Sequence, residues 1–303
     1  MSEARPPVQG EVFRIPAPGG EVVGDLLAPS GSGPWPAVLM APGFGGTRDV
    51  GLPPFARAFQ EAGFVVALFD YRHFGESGGE PRQLLSIRRQ IEDWHTALAY
   101  LRSRAEVLAD SVALWGTSFS GGHVIRVGAE DGEVAAVVSQ IPFTSGIRTA
   151  LRLPLLSSLK VLLAAAGDVS RSMIGARPVW MPIVGPPGSL AAMALDEAVR
   201  GYRELHEGSD WNNRVCARIG PATLAYRPLR WARRLTCPLL VQVGARDGLT
   251  PPGPARAMAH RARRGHFLSY DSDHFQVYFG ALRDEVIREQ VRFLRDHLEP
   301  ADP

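Results

Sequence analysis

Through the first half of the chain, apolar residues gather in short, nearly continuous runs. Each run is followed by a polar or Gly-rich turn and then by a stretch with helical spacing. The runs 37–40, 65–69, 112–115 and 134–141 are apolar on both alternating faces, as parallel strands covered by helices on both sides must be. Ahead of them, 11–15 and 21–27 flank Pro18-Gly19-Gly20 and predict an antiparallel hairpin at the sheet edge. Helices are predicted at 53–62, 84–102 and 121–128.

The alternation stops near residue 145. To about residue 235 the chain is punctuated by proline, with helix-like pieces at 155–166, 190–205 and 221–235. Strand patterns resume at 238–243 and 266–270, and an amphipathic helix is predicted at 282–298. This pattern predicts an α/β core made of 1–144 and 236–303, interrupted by a mainly helical cap at 145–235.

Composition narrows the picture. The 303 residues are 45% hydrophobic, enough for a sizeable core, and 33 basic against 31 acidic residues leave a net charge of only +2. No basic run with interleaved aromatics suggests a nucleic-acid surface. Lys160 is the sole lysine, so the positive charge is nearly all arginine. Residues 1–10 show no apolar stretch behind a basic head, which makes a cytoplasmic location the expectation, and 153–166 is too short for a bilayer span. Cys216 and Cys237 alone are too few for a thiolate metal site. No helix carries H-E-x-x-H, and the remaining histidines lack metal-ligand spacing, so neither metal nor other cofactor is expected.

The sharpest chemical signal is Gly116-Thr117-Ser118-Phe119-Ser120-Gly121-Gly122, directly after the strand 112–115 and before a helical segment. A serine on so sharp a turn is lifted clear of the sheet, and the strained backbone demands small neighbours two positions away, here Gly116 and Ser120. Asp247 follows the strand at 238–243, and His274 follows the one at 266–270. The chain order Ser, Asp, His suits a nucleophile, an orienting acid and a general base. Asp271 and Asp273 compete for the acid role, but residues so close to His274 more often shape the turn. Backbone N–H groups of Phe44, in Ala41-Pro42-Gly43-Phe44-Gly45-Gly46, and of Phe119 are the expected oxyanion donors. The Gly-rich stretch offers no nucleotide-binding spacing.

Gly43-Phe44-Gly45-Gly46, Asp70-Tyr71-Arg72-His73-Phe74-Gly75-Glu76-Ser77, Gly116 to Gly122, Gly244 to Pro251 and Asp273-His274-Phe275 together resemble the α/β-hydrolases, nearest to capped esterases and dienelactone-hydrolase-like members. The resemblance implies the α/β-hydrolase fold: a mostly parallel central sheet, helices on both faces and an inserted helical cap. It also implies cleavage of a carboxylic ester through an acyl-enzyme. Thioester, amide, C–C bond or acyl-transfer chemistry are alternatives on the same triad, and a non-catalytic binder is the alternative of another class. Two positions depart from the family: Pro42 stands where His is common, and His73 stands where Gly is common. His73 could put an imidazole at the pocket rim, against the simpler reading of a solvent-facing loop histidine. Phe143 and Trp211 are candidate substrate contacts for an apolar group, although cap aromatics such as Trp180 and Trp231 also suit a local core. Arg218 and Arg246 could bind a substrate carboxylate, with surface ion pairing as the simpler reading. His123 is expected to be a packed helix residue.

Overall fold

A computed structural model describes residues 10–298. The reading of 1–10 as free of a secretory signal, and the end of the predicted second core segment, lie largely outside them. Eight strands form one sheet in the order β1 (Glu11–Ala17), β2 (Gly20–Leu27), β4 (Val65–Asp70), β3 (Trp35–Ala41), β5 (Val107–Thr117), β6 (Ala136–Gln140), β9 (Leu239–Gly244), β10 (Gly265–Tyr270). From β4 to β10 all neighbours run parallel, and the β1–β2 hairpin adds two antiparallel strands at one edge. The hairpin turn has Pro18 first and Gly19 second, with Gly19 at φ +79°, the Pro-Gly order that a type II turn uses.

Every residue of β4, β6 and β9 is buried, which is why these segments read as unbroken apolar runs rather than alternating ones. Alternate residues feed two cores. Leu39 points to the side where Trp94 and Leu98 of α2 (Ile87–Arg102) and Val124 of α3 (Phe119–Asp131) pack. Val38 and Met40 point to the other, against Phe55 and Phe59 of α1 (Pro53–Glu61) and Phe293 and Leu294 of α9 (Gly280–Leu298). Each large side chain fully buried in this way contributes about 1.5–3 kcal/mol of transfer free energy.

Between β6 and β9 the chain makes a long excursion. It contains α4 (Gly146–Ala150), α5 (Leu155–Met173), α6 (Asp196–Leu205) and α7 (Ile219–Ala225), with the short strands β7 (Trp180–Met181) and β8 (Val215–Cys216) paired antiparallel. Three expectations need correction. The helix expected over 155–166 continues to Met173, with the buried Asp168 carboxylate held by Arg218 and by the Val179 amide. The helix expected over 190–205 starts only at Asp196, since Val184 bridges to Met193 in extended backbone. The one expected over 221–235 ends at Ala225, where Tyr226 turns extended shortly before Pro228, and two 3-10 turns follow. Helix α8 (Pro252–Arg261) joins β9 to β10.

Candidate active site

Strand β5 ends at Thr117, and Ser118 takes φ +54° and ψ −114° before α3 begins at Phe119. That left-handed conformation is costly for a non-Gly residue and persists only when its surroundings hold it. Here the Ser118 N–H donates to the Gln140 carbonyl (2.9 Å), while its own carbonyl accepts from Phe143 (2.8 Å) and Gly122 (3.3 Å). Gly116 is required for the same turn: a Cβ there would lie 2.3 Å from the Ser120 carbonyl oxygen.

The loops after β9 and β10 bring Asp247 and His274 to this turn. His274 Nδ1 lies 2.6 Å from Asp247 Oδ2, and its Nε2 lies 3.2 Å from Ser118 Oγ. With Nδ1–H donating to the carboxylate, Nε2 presents a lone pair to the serine hydroxyl. Asp247 is itself fixed, because it also accepts from the Leu249 N–H (2.8 Å), the Thr250 N–H (2.7 Å) and the Thr250 hydroxyl (2.7 Å). Both side chains are almost wholly buried. Burial opposes protonation of His274, but the negative charge of Asp247 and its hydrogen bond outweigh it, so the imidazole titrates above its ordinary value. The competing carboxylates lie elsewhere. Asp273 accepts from the Phe275 and Gln276 N–H groups as a turn cap, and Asp271 pairs with Arg246 at the surface.

Phe44 and Phe119 meet edge to face, with ring centroids 5.2 Å apart. A Cβ on Gly43 would lie 3.2 Å from Ser118 Cβ, so the Gly43–Gly46 loop passes directly beside the serine. Ser120 tethers this loop through Oγ donating to the Pro42 carbonyl (2.5 Å), and it is hydrogen-bonded in turn to Tyr71, whose hydroxyl accepts from Trp94 Nε1 (2.8 Å). Ser120, which the turn needs only as a small residue, thus also ties the elbow to the glycine loop.

The Asp70 to Ser77 motif proves to be scaffolding. Arg48 bridges Asp25, Asp70 and Glu76, fixing the segment beyond the glycine loop to the ends of β2 and β4. Burial pushes the Asp70 carboxyl up to about 6 even against the pull of Arg48. His73 is fully buried at φ +75°, so it is not the solvent-facing loop residue expected. Its Nδ1 contacts the Pro81 carbonyl (3.1 Å), its Nε2 lies 2.6 Å from Arg89, and it is absent from the lining of the pocket at Ser118. Burial first, and then Arg89, push its imidazole down to about 4. His123 is buried between Tyr226 and Gln90, its imidazole pushed down to about 3 mainly by burial.

Phe143 packs against Phe119 and Tyr226 behind the serine. Trp211 packs at a tilt against Tyr202 and His206 and donates from Nε1 to the Gly45 carbonyl (2.8 Å). Contrary to expectation, neither Phe143 nor Trp211 lines the pocket at Ser118; Phe143 is buried in an aromatic cluster, and Trp211 lines the cleft beyond Tyr202. Arg218 forms a bidentate pair with the buried Asp168, more enclosed than a surface pair. Among the described residues, no group of three or more His, Cys, Asp or Glu is placed to hold a metal ion.

Helix α6 carries no sequence signal for a place in the site, yet it bonds to three of its loops. The Glu197 carboxylate accepts from the backbone N–H of His274 (3.0 Å) and of Gly248 (3.1 Å), and the Tyr202 hydroxyl donates to the Phe44 carbonyl (2.8 Å). Gly201 lets the helix press onto Phe275, where a Cβ would lie 2.1 Å from the ring. Burial raises the Glu197 carboxyl above its usual range, more than the His274 N–H lowers it. No motif marks these residues. Their part depends on a helix packing against loops far away in sequence. With α6 seated, the pocket between Pro42, Ser118, Tyr202 and His274 has a volume of only about 30 Å³, room for roughly one water molecule, while a cleft of about 650 Å³ opens on the far side of Tyr202 and His206.

The family model described as serine aminopeptidase, S33, matches residues 34–272. The quorum-quenching protein AidA of Acinetobacter baumannii (strain MDR-ZJ06) is 39% identical over 261 residues, 86% of each chain. Thiohydrolase aneE of Aspergillus aculeatus is 27% identical over 288 residues, covering 87% of this chain and 86% of its own. The crystal structure of the alpha/beta hydrolase GrgF from Penicillium sp. sh18 matches at a TM-score of 0.83 and 25% identity, over 96% of this chain and 99% of that one.

Proposed function

Because this chain belongs to the α/β-hydrolase family described as serine aminopeptidase, S33, and has the α/β-hydrolase fold, we propose that it is a serine hydrolase that cleaves a carboxylic ester through an acyl-enzyme. The observation that carries this reading is the unbroken line Asp247–His274–Ser118, at 2.6 and 3.2 Å. As Ser118 Oγ attacks the carbonyl carbon, its proton passes to His274 Nε2, and Asp247 stabilises the imidazolium. Negative charge then develops on the carbonyl oxygen, where the Phe44 and Phe119 N–H groups serve as donors. Collapse expels the alcohol, which takes the proton from His274. Water, deprotonated by the same nitrogen, then releases the acid and restores the serine. Excursion 145–235 acts as the cap, with its Tyr202, Leu205 and His206 lining the pocket at Ser118.

A second reading keeps the same acyl-enzyme but starts from a thioester or passes the acyl group to an acceptor other than water. It is favoured by the likeness to a thiohydrolase. Fluorophosphonate should label the wild type and leave folded Ser118→Ala unlabelled; equal labelling of both would overturn the assignment of the nucleophile. A panel of p-nitrophenyl esters of rising chain length beside matching thioesters, with and without an added alcohol acceptor, separates the two readings by which substrates turn over and which product appears.

A further inference from the structure

Helix α5 faces the wrong way for a surface helix of a water-soluble protein. The residues it buries are Ser157, Ala165 and Asp168, and its contact with α7 is so close that a Cβ on Gly220 would lie 3.0 Å from Val161. Its leucines point outward instead: Leu155, Met173 and the adjoining Ile174 are at least 80% exposed, and Leu162 and Leu163 are more than half exposed. With Leu151 at its start, they make one apolar stripe along all 19 residues of the helix. Placing so much apolar side chain in water forgoes about 1.5–3 kcal/mol of transfer free energy per residue, so a stripe of this size marks a surface that something covers.

Charge decides what covers it. Arg148, Arg152, Lys160, Arg171 and Arg177 are all exposed around the stripe, and between residues 142 and 195 the one acidic residue, Asp168, is buried against Arg218. A second copy seated by two-fold symmetry would bring cation against cation in either helix orientation, with no carboxylate in the segment to answer it. An anionic lipid surface answers both features: acyl chains take the leucines and headgroups take the arginines. Among the described residues no helix is long and apolar enough to cross a membrane, so α5 is suited to lie in the interface rather than span it. We propose that the α4–α5 face docks this protein onto a bilayer rich in anionic lipid, with α5 parallel to the surface.

The test is co-sedimentation of the full chain with vesicles of phosphatidylcholine alone and of equal parts phosphatidylcholine and phosphatidylglycerol. Wild type should partition to the anionic vesicles and be released by raised salt. Removing one cation with Arg152→Gln should weaken binding about fivefold, and the exposed pair Leu155→Asn and Leu163→Asn should weaken it about tenfold or more. Circular dichroism and fluorophosphonate labelling verify that the variants are folded. Wild type that stays in the supernatant, or that binds no better than the leucine variant, overturns the proposal. So does a wild-type dimer, seen by sedimentation velocity, that the leucine variant converts to monomer while neither binds vesicles, for then the stripe belongs to a second copy.

Discussion

Helices α5 and α6 belong to the same excursion from the sheet and are built on opposite principles. Helix α6 sends Glu197 and Tyr202 inward to hold the loops of His274, Gly248 and Phe44. Helix α5 seats itself through Asp168 and small residues and sends its leucines outward. One helix braces the loops of the candidate active site, and the other is, on the proposal above, a surface for something outside the chain. Polarity along an inserted helix therefore does not say which side faces home, since here the polar helix is the one bonded to the loops of His274, Gly248 and Phe44.

The largest expected effect comes from cutting the α6 tether. Glu197→Ala leaves two backbone N–H groups without their carboxylate, and at about 1.5–3 kcal/mol for a charge-assisted bond kcat should fall by roughly ten- to a hundredfold. Unchanged kcat, measured on an activated ester, would reduce α6 to a passive cover.

A smaller effect separates the charge of Glu197 from its shape. His274 must be neutral to take the Ser118 proton, so kcat/KM should fall as pH drops through the imidazole's raised value, placing the acid limb above the ordinary histidine range of about 6.5. Glu197 is one of the negative charges that raise it. Glu197→Gln keeps Oε1 as an acceptor for the His274 N–H, gives up the Oε2 acceptor that faces the Gly248 N–H, and removes that charge, so its acid limb should move to lower pH with a smaller loss of kcat than Glu197→Ala. A limb that does not move breaks the electrostatic link between α6 and the base.

The smallest effect is expected at α5. Leu155→Asn with Leu163→Asn should leave kcat/KM on a water-soluble ester within about twofold of wild type, since exposed positions away from special contacts usually cost no more than about 0.5 kcal/mol. A large loss in solution would mean that the two helices are less separate than their packing indicates.

Much of this molecule was readable along the chain. Parallel strands buried on both faces must be continuously apolar, so β4, β6 and β9 announce themselves, while the ends of β5, β9 and β10 locate Ser118, Asp247 and His274. Where local pattern competed with tertiary packing it failed: the helix read over 155–166 runs on through Asp168, which Arg218 holds, and 190–195 reads as helix until Val184 pairs with Met193. Ser120, Glu197 and Tyr202 carry no spacing signal, because each acts through a bond to backbone far away in sequence. His73 looked available for substrate and is buried beside Arg89 instead.

By itself, the order of residues determined the layering of the sheet and the strained turn at Ser118, because strand burial and elbow sterics act over a few neighbouring positions. Only the folded chain decided which carboxylate meets His274, which helix closes over the pocket and which way the α5 leucines point. Those outcomes depend on distances between segments up to 156 residues apart, as between Ser118 and His274, and no local preference can encode them.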